Sequence, residues 1–141
     1  MATKTDFTEE EWDAMQRGLT GSGMLVSLSD RDFTDMFGEA GAMGKFLSGQ
    51  QVSAASELVR ELAKTRSTGF GLTSSPETVR AGTVDALRSS IATLTAKAPE
   101  EVEPYRQLVL GLAEAVAGAK GGGEAPSEAA MIQEIRTALG A

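Results

Sequence analysis

Apolar residues recur every three to four positions along most of the chain, and no stretch sustains the alternation of a half-buried strand. The pattern predicts an all-α protein, a single-domain bundle of about six helices spanning 1–141. The first helix start is the most explicit. In FTEEEW, residues 7–12, Thr8 is placed as N-cap with Glu11 at N3 closing a capping box, and Phe7 and Trp12 flank it as a hydrophobic staple. Three glutamates in that first turn suit the positive end of the helix dipole. Trp12, Met15 and Leu19 continue one face, whereas Gly18, Gly21 and Gly23 weaken the helix, so a kink or break is expected near Gly21 before MLVSL resumes it.

A second helix is predicted to start around Asp30 to Asp32 and to run to about Leu47. Within it Gly38, Gly41 and Gly44 recur beside Phe33, Phe37, Met43 and Phe46, and such a costly stripe calls for close approach of another helix. A third helix, about Gln50 to Lys64, places Val52, Ala55, Leu58, Val59 and Leu62 on one face. TRSTGFGLTSSP then reads as a linker ended by a Ser75 cap with Pro76 at N1. The fourth helix, about Pro76 to Ala96, is expected to bury Val84, Leu87, Ile91 and Leu94. The fifth opens at Pro99 with Glu100 and Glu101 in its first turn, and its face of Tyr105, Leu108, Val109, Leu112 and Val116 makes it the predicted centre of the bundle. A last helix with Met131, Ile132, Ile135 and Leu139 stops at Gly140. Residues 1–6, 65–74 and 118–126 are expected to be flexible.

Composition narrows the chemistry. The chain has neither cysteine nor histidine, which removes thiolate zinc sites, Cys or Ser/His nucleophiles, imidazole acid/base work and His- or Cys-ligated haem. Any bound metal would be a hard cation held by oxygen. Thirteen Lys and Arg against twenty Asp and Glu give a net charge of −7, and the bases do not cluster, so nucleic acid is not an expected partner. The acids do cluster: residues 1–39 carry nine acids and three bases, while the remainder is near neutral. A solvated face explains that asymmetry, and an ion site or a basic partner is the sharper reading. MATKTDFTEEEW lacks a signal-peptide core, and the longest apolar run, Leu108 to Ala119, is far short of a bilayer span, so a cytoplasmic protein without membrane insertion is expected.

Three stretches invite functional readings. GAKGGGEAPSE sets glycines before a helix start, where free amides favour anions. However, Lys120 precedes the glycines, a helix rather than a strand leads into them, and Glu124 and Glu128 would repel phosphate, so a connector is expected. DRDFTD crowds Asp30, Asp32 and Asp35 at a helix start, with Glu39 one turn further on. The EF-hand template fails, because its glycine position holds Asp35 and its bidentate-glutamate position holds Gly41. Asp30, Asp32, Asp35 and Glu39 remain candidate ligands for Mg²⁺ or Ca²⁺, although capping and dipole matching explain the same residues. Finally, the Gly and Met/Phe stripe of the second helix could line an apolar ligand or partner groove, although core packing is the expected use of the same residues.

The segments VSLSDRDFTDMFGEAGAMGKFL and AVAGAKGGGEAPSEAAMIQEIRTALG each place a small or apolar helix end, a polar turn, an acid and an amphipathic helix in order, as two pseudo-repeated helix-turn-helix halves would. That arrangement resembles the tellurite-resistance TerB-like family of compact helical bundles. The resemblance implies an acidic patch able to bind a divalent metal and a role in stress response or near the membrane. The acidic turn is kept as Asp30 and Asp32 in the first segment, and replaced by Gly121, Gly122 and Gly123 in the second. The expectation is therefore a non-enzymatic, acidic helical interaction or stress-associated module with a protein partner, compatible with a homodimer and with weak divalent-cation binding. The alternative is a small-ligand or lipid-like carrier, or a small enzyme, with a pocket between the second and fifth helices.

Overall fold

The computed structural model describes residues 3–29, 36–64, 75–117 and 126–140, the side chains at 27–29, 36–42, 76 and 126–128 not among them. The described residues form six α-helices and no strand: α1 Glu9–Ser29, α2 Met36–Ser53, α3 Glu57–Leu62, α4 Pro76–Lys97, α5 Val102–Ala117 and α6 Pro126–Ala138. A short 3-10 turn, Pro99–Glu101, leads into α5. The start expected for the second helix at Asp30 to Asp32 and the two Gly-rich connections at 65–74 and 118–125 lie outside the described residues.

The helix starts follow their local chemistry. The Thr8 amide donates to Glu11 Oε1 at 2.8 Å and the Glu11 amide donates to Thr8 Oγ1 at 3.1 Å, completing the capping box. Behind it Phe7 and Trp12 pack with ring centroids 6.4 Å apart, both at or below 9 % exposure. Ser75 caps α4 by accepting from the Thr78 amide at 3.2 Å. At the other end of the chain Gly140 takes φ +72°, the left-handed conformation that glycine supplies without a Cβ penalty.

α5 is the centre of the bundle, in contact with each of the other five helices, and Tyr105, Leu108, Val109, Leu112 and Val116 are all buried. α1 lies along α4 over the most extensive helix pair in the molecule and also packs on α5 and α6. Lys97 Nζ at the end of α4 meets Glu11 Oε1 at the start of α1 at 2.6 Å, so the two helices run antiparallel. α6 is clasped by arginines: Arg80 of α4 pairs with Glu134 at 2.6 Å, and Arg106 of α5 donates to the Leu139 carbonyl at 2.8 Å.

Four expectations change. No break occurs at Gly21, because α1 is one helix from Glu9 to Ser29. The glycines there are sites of close approach: a Cβ at Gly18 would lie 2.7 Å from Tyr105 Oη and 2.9 Å from Leu87 Cδ2, and one at Gly23 would lie 3.1 Å from Met43 Sδ. Packing offsets the roughly 1 kcal/mol that each glycine costs a helix. The α2 stripe has the opposite character at Gly44, where a Cβ would meet nothing within 4 Å. Among the described residues no neighbouring helix comes close there. The close approach between α2 and α5 uses Gly111 instead, where a Cβ would sit 2.7 Å from Phe46 Cζ.

The second and third helices also divide differently. α2 continues through Gln50 to Ser53, and the chain breaks at Ala54–Ser56 because Ser56 caps α3, its hydroxyl accepting from the Val59 amide at 3.2 Å. Leu58, Val59 and Leu62 are buried as expected, but Val52 falls on α2 and is 85 % exposed, the one large apolar side chain so exposed among the described residues. On α4, Leu87 and Leu94 are buried, while Val84 and Ile91 are only half-buried at the edge of the core. Thr83, Ala86 and Ser90, small and partly polar, are buried on α4, the helix that packs most extensively on α1.

Candidate binding groove

Of the acids proposed to hold a cation, Asp30, Asp32 and Asp35 lie outside the described residues, and Glu39 belongs to α2 with its side chain outside them. Among the described residues no group of three or more acidic side chains is arranged to hold a metal ion. No described helix is long and apolar enough to cross a membrane.

A groove of about 410 Å³ lies between α2, α3 and α5, in the region where the alternative reading of the sequence put a pocket between the second and fifth helices. Its existence follows from three local features. Gly111 leaves room for the Phe46 ring against the α5 backbone, so that ring forms a wall of the groove. Pro104, Gln107 and Gly111 recur at i, i+3 and i+7 and put one stripe of α5 along the opposite wall. The turn at Ala54–Ser56 closes one end.

That turn is pinned from three directions. Arg60 Nη1 donates to the Ala54 carbonyl at 3.0 Å, and Gln51 Nε2 donates to the Ala63 carbonyl at 2.9 Å, tying the end of α2 to the far end of α3. Ser56 Oγ, while capping α3, donates to Glu101 Oε2 at 2.6 Å. Glu101 is only 4 % exposed and stands directly behind Ser56 in the 3-10 turn before α5. Neither this hydrogen bond nor the role of Gly111 was legible in the sequence. Glu101 reads there as one more first-turn acid, and Gly111 as an isolated glycine in an apolar helix.

The lining contains no titratable side chain; it combines apolar groups with the carboxamides of Gln50 and Gln107 and the Ser56 hydroxyl. Two smaller depressions differ in kind. One, about 260 Å³, lies at the start of α1 beside Lys4, Trp12 and Asp13; the other, about 290 Å³, lies between α4 and α6 among Glu77, Arg80, Asp85 and Glu134. The groove is thus a neutral site on a strongly acidic chain. Chemically it can shelter apolar groups and offer amide hydrogen bonds. It holds no general base, and Ser56 Oγ is already committed to the Val59 amide and to Glu101.

The fold and groove define a helical bundle with an open, uncharged groove on one face. The chain matches no protein-family model, no curated protein and no solved structure.

Proposed function

We propose that the protein is a non-enzymatic interaction module that receives apolar side chains of a protein partner in the groove between α2, α3 and α5. The observation carrying this reading is the groove itself: about 410 Å³, uncharged, and walled by backbone that side-chain hydrogen bonds hold in place. Such pre-formed walls lower the ordering cost of binding. A lipid-like ligand would need a chamber enclosing most of its surface, whereas this groove is open along one side. That favours docking of a partner segment over carriage of a free ligand.

The test is selection of binders from a random peptide library on the immobilised full chain, followed by binding to Gln107→Trp. Gln107 is exposed on the groove wall, so an indole there fills the groove without entering the core. Selected peptides are expected to lose binding on Gln107→Trp and to shift the amide signals of Phe46, Gln107 and Gly111 in wild type. Peptides that bind wild type and variant equally would remove the reading.

A further inference from the structure

We infer that the Met43 thioether makes the groove sensitive to oxidants: a peroxide that converts it to the sulfoxide loosens the α2 wall and weakens docking, a consequence that rests on the groove being the docking site. The chain contains no cysteine, so methionine carries its redox-active sulfur. Of the methionine side chains described, Met15 is buried, while Met24, Met43 and Met131 are half-buried and within reach of a small oxidant. Met43 is the one on α2, one turn before the groove residue Phe46. A Cβ on Gly23 would lie 3.1 Å from Met43 Sδ, 3.2 Å from Met43 Cε and 3.4 Å from Leu112 Cδ2, so the thioether rests on the α1 backbone next to Leu112. Gly111, the residue before Leu112, is the one against which the Phe46 ring packs. Two neighbouring contacts therefore fix the α2 wall, Met43 on α1 and Phe46 on α5.

A peroxide transfers one oxygen atom to the thioether. The sulfur lone pair forms the S–O bond, the O–O bond breaks, and the remaining oxygen leaves as water, sulfur losing the two electrons that the peroxide gains. The product carries a strong new acceptor. Gly23 lies inside α1, where its amide is spent on the helix's own hydrogen bonds, and Leu112 presents only carbon, so neither supplies a donor. A sulfoxide oxygen left there without a hydrogen bond is costly, and turning it towards water pulls the side chain off Gly23. Either way the Met43 contact with α1 is lost. Among the described residues α1 packs far less on α2 than on α4, α5 or α6, so little else at that place replaces it. The α2 wall then loses its fixed spacing from α5, and the ordering cost that rigid walls spare returns when a partner docks.

The experiment treats the full chain with dilute hydrogen peroxide, maps the oxidised methionines by peptide mass spectrometry, and compares wild type with Met43→Leu, which keeps the volume without the sulfur, and with untreated Met43→Gln. Met43 should oxidise while the chain is folded and Met15 is still intact. Oxidised wild type should show shifted amide signals for Phe46 and Gly111 and bind the groove-selected peptides about tenfold more weakly. Met43→Leu, given the same peroxide and still containing Met24 and Met131, should change in neither respect, and Met43→Gln should reproduce the weaker binding without oxidant. A Met43 that stays reduced until the chain unfolds, or oxidised wild type and oxidised Met43→Leu that behave alike, would overturn the inference and leave the docking reading intact. Failure of the docking reading has a different signature: no peptide would be sensitive to Gln107→Trp, while the Phe46 and Gly111 signals would still respond to peroxide in wild type and not in Met43→Leu.

Discussion

At the scale of single residues, the glycines show how one residue type serves opposite ends. Gly18 is buried and touches Tyr105 and Leu87, two side chains without exposure, whereas Gly44 sits in α2 with open space where a Cβ would go. Alanine at both positions improves helix propensity by about 1 kcal/mol. Gly44→Ala is therefore expected to stabilise the protein by about 0.5 to 1 kcal/mol. Gly18→Ala must displace packed groups, so a net loss of about 1 to 3 kcal/mol is expected. Urea unfolding of the two variants decides it; equal effects in the same direction would refute the assignment. Tyr105 offers a second residue-scale test, because it is the chain's one tyrosine and its ultraviolet titration is unobscured. Burial pushes the phenol well above its usual value of 10, with Ser90 as a smaller opposing influence, and Tyr105 Oη donates to the Met15 carbonyl at 2.9 Å. A raised folded value means that the group's contribution is complete below pH 10 and is lost as pH rises beyond it. No ionisation step near pH 10 should appear while the chain is folded, and phenolate absorbance should arrive together with unfolding. Tyr105→Phe should cost about 1 kcal/mol.

At the scale of elements, what the sequence discloses depends on whether the cause is local. The Thr8–Glu11 capping box, the Phe7–Trp12 staple and the Ser75 cap are all contained within a few residues, and each is formed as the pattern predicts. The apolar stripe of α5 was legible for the same reason. The boundary between α2 and α3 was not, because Val52, Ala55 and Leu58 fit a helical period and mask the Ser56 cap. The burial of Thr83 and Ser90 on α4 was missed too, since an apolar periodicity carries no sign of polar residues in a core. Of the groove, the sequence offered a pocket between the second and fifth helices only as an alternative, and the walls depend on contacts such as Phe46 on Gly111 and Ser56 on Glu101, across 45 or more residues. The second of those contacts separates two otherwise similar caps. Ser75→Ala removes an exposed cap and should cost about 1 kcal/mol. Ser56→Ala removes a cap and also the hydroxyl that holds a buried carboxylate, adding about 1 to 3 kcal/mol. Thermal unfolding should rank Ser56→Ala clearly below Ser75→Ala, and indistinguishable melting curves would show that the Ser56–Glu101 contact contributes nothing.

At the scale of the whole molecule, charge is distributed as unevenly in space as along the chain. The start of α1 carries Asp6, Glu9, Glu10, Glu11 and Asp13, and the antiparallel packing of α1 on α4 brings Lys97 into their midst. Lys97 Nζ lies 2.6 Å from Glu11 Oε1 and 5.9 Å from the centroid of the Phe7 ring, so one base serves both the acidic end and the staple beneath it. The Lys97 ammonium, aided by the Thr8 amide, holds the Glu11 carboxyl below its usual 4.5. A depressed folded value contributes stability that is present above pH 4.5 and disappears as pH falls through the lowered value. Lys97→Gln removes that contribution and leaves the acids of this end facing one another. Its deficit relative to wild type should therefore be largest near neutral pH at low salt, and should shrink both on acidification below about pH 4.5 and on screening by salt. Wild type itself should gain stability with salt at neutral pH, since its net charge of −7 opposes compaction. Urea midpoints of the two proteins across pH, at low and high salt, contain both signs. A deficit that ignores pH and salt alike would mean that Lys97 acts through its aliphatic stem on Phe7, and that charge at this end of the bundle has no bearing on the fold.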